Sequence, residues 1–275
     1  MSKEKKYVCT TILIFAVATV DSIGSLFGFW SKSGAVGTIV LIVKGLVLLG
    51  LILLSFSLKN WVYHRTSNSK YRSIAWLSFG ALIVCVGGDI VNANFPKTFY
   101  RYEGVVKHDY LADSVLFFGP GYLLLLVTGA LVAIENNVNR LMLYVFIMVG
   151  GLLGAISVWL MHIPGTGLFV TAMTGGYAAL IGAVGLFGFV LIHSFGGVRA
   201  SYGTWLVGLG FLLAAVADAV IGNFWMYGNG GEGYYPEVRD VNWILYIGSQ
   251  CLVIYLPYIL VSQKVAGVCS CSRKE

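Results

Sequence analysis

Asp89 and Asp218 are the residues with the clearest chemical potential in this sequence. Each lies inside an apolar stretch, five residues ahead of an Asn-Phe pair, Asn94-Phe95 in one case and Asn223-Phe224 in the other. A displacement of 129 positions carries the first acid onto the second. It also carries Trp76-Leu77 onto Trp205-Leu206 and Gly119 onto Gly248 without a gap, and Trp30 onto Trp159 in a poorly matching context. Two tandem copies of one unit are the expected organisation. If the copies pack about a twofold axis, both carboxylates face one central cavity. Two close carboxylates share a proton more readily than both ionise, which suits proton sharing or general acid and base work. Each acid could instead accept hydrogen bonds from its own outer loop. Asn92, Asn94 and Asn223 read as polar lining or helix-end caps.

A second pair of ionisable groups is Asp21 and Lys44. A charge inside an apolar span needs a partner or a watery cavity. Asp21 precedes Trp30 by nine residues and Lys44 follows Gly34 by ten, so across a tight hairpin both sit about 14 Å below the turn. An Asp21–Lys44 ion pair is expected, either fixing helix register or lining a cavity. The four histidines, His64, His108, His162 and His193, fall at opposite ends of spans, so no metal or haem site and no cofactor is expected. Lys44 is the one intramembrane lysine and lies in the second span, which argues against a retinal Schiff base. No nucleophile elbow and no phosphate loop occurs.

These groups must be positioned by membrane helices. Hydrophobic residues make up 58% of the chain and charged residues 11%, against roughly 25% charged in a soluble domain. The fold class is therefore all-α: a polytopic membrane protein of one integral membrane domain, residues 1–275. Eight spans of bilayer length are expected over about 8–30, 34–57, 73–93, 111–134, 141–161, 167–193, 203–223 and 242–263. They form two parallel four-helix repeats, about 8–134 and 141–263. With the N-terminus inside, twelve bases flank the cytoplasmic side. Five, Lys32, Lys97, Arg101, Lys107 and Arg239, lie outside, so both termini are expected in the cytoplasm of a cell-membrane protein. The net charge of +6 is thus a topology signal, and no nucleic-acid partner is expected. The two longest outer connections, about 94–110 and 224–241, occupy equivalent places and are rich in aromatic residues, as interfacial belts are. All five prolines fall outside the spans or off their centres. Cys269 and Cys271 lie beside Arg273 and Lys274, where acylation could occur.

Two resemblances follow. The run Ala217-Asp218, then Tyr234-Tyr235-Pro236, then Asp240-Val241-Asn242-Trp243, resembles the membrane sensor regions of bacterial diguanylate cyclases and histidine kinases. Gly88-Asp89 followed by Ala112-Asp113 looks similar in the first copy. That resemblance implies an outward-facing sensory or ligand-binding module without its own output domain, signalling through a separate cytoplasmic output protein. Asp89, Asn94, Asp113, Asp218, Asn223, Tyr235, Asp240, Trp243 and Gln250 would form its ligand site. The second resemblance is to the lysoplasmalogenase family of eight-helix membrane hydrolases. Lys44, Gly88-Asp89, Asp218, and Tyr246 with Gln250 match its pattern, while residues 119–134 hold no histidine where that family usually carries one. It implies a membrane-lipid partner, with Asp89 and Asp218 activating water against an ether-lipid headgroup bond. A small-solute transporter with parallel repeats is a third expectation.

Overall fold

A computed structural model describes residues 3–30, 34–93, 105–107, 111–233 and 237–271, the side chains of residue 3 and of 265–271 excepted. The described residues hold no strand. The helices are α1 (Lys3–Leu26), α2 (Gly34–Arg65), α3 (Ser69–Ala93), α4 (Leu111–Glu135), α5 (Arg140–Met161), α6 (Leu168–Ser194), α7 (Tyr202–Val220), α8 (Val238–Val253) and α9 (Leu256–Cys271). Eight helical segments are long and apolar enough to cross a membrane, the eighth made of α8 and α9 together. The protein is a multi-pass α-helical membrane protein.

The boundaries depart from the expected spans where local chemistry overrides the apolar pattern. α1 stops at Leu26 because Gly28 takes a left-handed φ of 70°, and the Trp30 ring folds back onto Gly24. α2 outruns its apolar stretch and continues to Arg65, since His64 and Arg65 are exposed at the membrane edge, while Lys59 is buried with its ammonium over the Trp76 and Phe56 rings. α7 does not end near residue 223. It continues as a π-helical turn over Ile221–Met226, closed by the Tyr227 N–H donating to the Gly222 carbonyl at 3.0 Å.

The last span is interrupted. Pro257 lies off its centre, as expected, and the helix breaks just ahead of it, at Ile254 and Tyr255. Proline lacks an N–H and its ring crowds the preceding turn, so α8 and α9 leave this point as separate helices. The other intrahelical proline, Pro120, leaves α4 continuous.

Neighbour relations give the layout. α1, α2, α3, α4, α6, α7 and α8 each pack on the next, and α8 returns to α1, closing a ring. α5 packs chiefly on α6, outside it. α9 turns inward and touches α2, α3, α4 and α7. Burial follows: 72% of the apolar window of the last span is buried, against 17% for α5. Leu256, Ile259 and Leu260 of α9 join the main core with Leu51, Leu54 and Leu58 of α2. One half of the ring is thus filled by α9, and the other half has no central helix.

α5 is held by contact of glycine with backbone. A Cβ added at Gly154 would meet the Ala178 carbonyl, and one at Gly182 would meet that of Gly150. The two helices approach this closely because only hydrogen projects between them, as at other small-residue membrane interfaces. Gly182→Leu should therefore lower the Tm of detergent-purified protein by roughly 5 °C or more. Gly80→Ala, where an added Cβ meets nothing within 4 Å, should leave it unchanged.

Candidate functional site

The half of the ring left open by α9 contains a cavity of about 650 Å³. Its walls come from the same end of seven helices: the starts of α2, α4, α6 and α8 and the ends of α3, α5 and α7. This is the end that carries the two longest connections. Most of the lining is apolar, from Leu41, Leu48, Phe118, Val158 and Ile181 among others.

Asp89 and Asp218 both line it. On α3, Asp89 lies one turn beyond Cys85 and next to Gly88, which lets Phe118 of α4 pack directly on the backbone. Asp89 is buried, and the Tyr246 hydroxyl donates to its Oδ2 at 2.7 Å. Asp218, on the last turn of α7 before the π segment, is half-buried, and the cavity is its open side. The Tyr177 hydroxyl of α6 donates to its Oδ1 at 2.8 Å. A third phenol, Tyr122 of α4, is fully buried beside the Asp218 carboxylate, without ordinary hydrogen-bond geometry. The rings pack on one another: Phe118 meets Tyr246 edge-on at 5.9 Å, and Tyr122 lies 6.3 Å from Tyr177. Each carboxylate is thus aimed by a phenol that is itself held by aromatic packing, and the two acids are near enough to interact electrostatically.

A second polar group forms one wall. Lys44 Nζ lies 3.9 Å from Asp21 Oδ2 and 3.9 Å from Asp240 Oδ1, with the Trp243 ring centroid 5.2 Å away. Both carboxylates are buried, whereas the Lys44 side chain, 25% exposed, reaches the cavity. One ammonium thereby joins α1, α2 and α8. Asn92, Asn223 and Arg239 add polar groups to the same lining. Asn223 reaches this position through the π turn, while its Nδ2 donates to the Ala219 carbonyl at 2.7 Å.

Described parts of the two connections, residues 105–107 and 227–233, meet at this end. Val106 is buried against Leu111, Val170, Met226 and Tyr227. The Lys107 N–H donates to the Gly231 carbonyl at 2.9 Å, and the Lys107 side chain pairs with Glu232. Tyr227, just beyond α7, shares a 2.7 Å hydrogen bond with Thr174. Burial pushes its phenol above the ordinary value, partly offset by that bond, so it stays neutral at physiological pH.

Of the residues expected at a site, the structure brings Asp89, Asp218, Asn223, Trp243 and Lys44 to one cavity, with Asp21 and Asp240 behind Lys44. Asp113 is buried in the first turn of α4, away from the lining. Gln250 is also buried, one turn beyond Tyr246, and its Nε2 has no hydrogen-bond partner among the described residues. Asn94 and Tyr235 lie outside the described residues. Tyr122, Tyr177 and Arg239 were missed. Tyr177 sits in an apolar span like any packing aromatic, and only its register one turn beyond Thr174 hinted at a polar face. Among the described residues no group of three His, Cys, Asp or Glu could hold a metal ion. Comparison with family models, with curated proteins and with solved structures finds no match.

This arrangement can bind a molecule with a polar end and an apolar body, and can move a proton at the polar end. Removing Lys44 would leave two buried carboxylates facing each other across α1 and α8. Lys44→Met should cost on the order of 3 kcal/mol of stability, measured by thermal or SDS unfolding. The combined Lys44→Met, Asp21→Asn and Asp240→Asn protein should recover most of that loss.

Proposed function

We propose that this protein is a membrane-embedded hydrolase that cleaves a single-chain ether lipid near its headgroup, as the likeness to lysoplasmalogenases implies. The observation that carries this reading is the pair Asp89 and Asp218, on different helices, facing one apolar cavity with a phenol fixed on each. Paired carboxyl groups in an apolar wall disfavour double ionisation, and such perturbed pairs concentrate at sites that transfer protons. The cavity falls within the range of small-molecule sites, and its apolar walls suit the start of a lipid chain.

For an alkenyl ether the chemistry is balanced with water alone. One carboxyl group gives its proton to the outer carbon of the double bond, and the other carboxylate takes a proton from water as its oxygen adds to the inner carbon. The resulting hemiacetal collapses to an aldehyde and a freed glycerol hydroxyl, and the proton passes back between the acids. Asp218, with the Tyr177 hydroxyl bonded and that of Tyr122 beside it, has the better support for the charged, base role. Asp89 is then the acid. The walls exclude bulk water and hold the chain, and Lys44 and Trp243 fix the wall opposite.

The reading also takes the cavity as outward-facing and the helices as two copies of one unit. α4 meets α6 as α9 meets α2, which are equivalent pairs in that scheme. A transporter gains support from the break at Ile254 and Tyr255 but not from α4, which has no matching break.

The test is release of headgroup and aldehyde from lysoplasmalogen by purified protein. Asp89→Asn and Asp218→Asn should each lower kcat by roughly a hundredfold or more, and Tyr177→Phe by roughly tenfold. No turnover from folded, monodisperse wild-type protein would overturn the reading and leave a ligand-binding sensory module.

A further inference from the structure

A second, smaller cavity lies at the other end of the bundle. It measures about 320 Å³ and is lined by Tyr7 of α1 and by Ser57, Asn60, Trp61, His64 and Arg65 of α2. From Ser57 to Arg65 the helix climbs about 12 Å, so the groove runs from within the apolar span to its edge. Its deep part carries neutral polar groups and its mouth carries two basic ones.

The groove is built rather than incidental. Trp61 packs on Tyr258 with ring centroids 4.3 Å apart, and the Arg65 guanidinium lies 5.5 Å from the Trp61 ring centroid. The arginine is therefore anchored on one face while its planar edge of N–H donors stays exposed at the mouth. Ser57 donates to the Leu53 carbonyl at 2.7 Å, which turns its oxygen lone pairs to the groove as acceptors. None of the lining residues is acidic. The nearest acid on α1, Glu4, lies beside Tyr258 and outside the lining. Lys5 and Lys6 precede Tyr7 on the same helix and add to the positive potential.

We propose that this groove seats the phosphate and glycerol of an anionic membrane phospholipid. Its volume equals that of about ten water molecules, enough for the headgroup but not for acyl chains. The chains have a place outside it, because Val8, Ile12, Leu49 and Leu53 of the same hairpin are exposed and apolar. Arg65 supplies paired donors to the phosphate, His64 a further donor, and Asn60 and Ser57 bond the glycerol hydroxyls. The site is independent of the acid-lined cavity and would persist if the hydrolase reading failed.

Native mass spectrometry in neutral detergent tests it, with phosphatidylglycerol and phosphatidylcholine at equal concentration. The wild-type protein should retain phosphatidylglycerol roughly fivefold more strongly. The His64→Gln and Arg65→Gln double variant should bring the two lipids close to parity. The charge-matched His193→Gln and Arg199→Gln double variant, at the same end but outside the groove, should keep the preference. Asn60→Phe, which fills the groove without changing charge, should also lose it, and it serves if the basic variant does not fold. Equal retention of both lipids, or an equal fall in the control variant, would overturn the proposal. So would displacement of the lipid by millimolar inorganic phosphate, which would mark a free-anion site.

Discussion

Burying charge in an apolar bundle is the constraint on which the arrangement depends. Asp21, Asp89, Asp218 and Asp240 all lie in the half of the bundle that surrounds the cavity. Lys44 is the one ammonium within ion-pair reach of any of them among the described residues. An uncompensated charge in such surroundings costs several kcal/mol, so each carboxylate must be paired, hydrogen-bonded or open to water. Asp21 and Asp240 are held by Lys44 and tie three helices together. Asp89 and Asp218 have phenols and the cavity. The helices therefore divide the acids into a structural set and an accessible set, and only the accessible set is free to work on a bound molecule.

The last span decides where that division falls. Its break beside Pro257 sends α9 to the bundle centre at one end and leaves α8 in the ring at the other. One end is consequently a packed core of Leu51, Leu54, Leu256 and Leu260, and the other is hollow. α7 adds to the effect, because its π turn widens the helix where Asn223 and Met226 meet the cavity, a placement common near functional sites. Two local departures from α-helical geometry thus create the space that the acids face.

Much of this was legible in the sequence and part of it was not. The eight spans follow from length and hydropathy, because a bilayer accepts few other structures. The depth of Asp21 and Lys44 followed from counting residues out from the hairpin turn, and the two side chains lie 3.9 Å apart. The third member of that group, Asp240, was read as belonging to an outer loop and the next helix start. Counting along one hairpin says nothing about a helix two hundred residues away. Asp89 and Asp218 stood out by their matching contexts, whereas Tyr122 and Tyr177 did not, since a buried phenol and a packing aromatic look alike until a carboxylate is placed beside them. The break at Pro257 was hidden for a related reason. Proline at the edge of a span and proline that redirects a helix into a core differ only in what the far side packs against.

The central claim is that α3 and α7 present their carboxylates to one shared space. It is tested most directly by cross-linking an Asp89→Cys, Asp218→Cys protein in native membranes, with the five native cysteines replaced. A short bis-thiosulfonate reagent should join the two introduced thiols within one chain, as it should a peripheral Lys70→Cys, Glu135→Cys control pair. Efficient linkage of the control pair with none between positions 89 and 218 would contradict the account, because the two acids would then face separate environments and could not act as a unit.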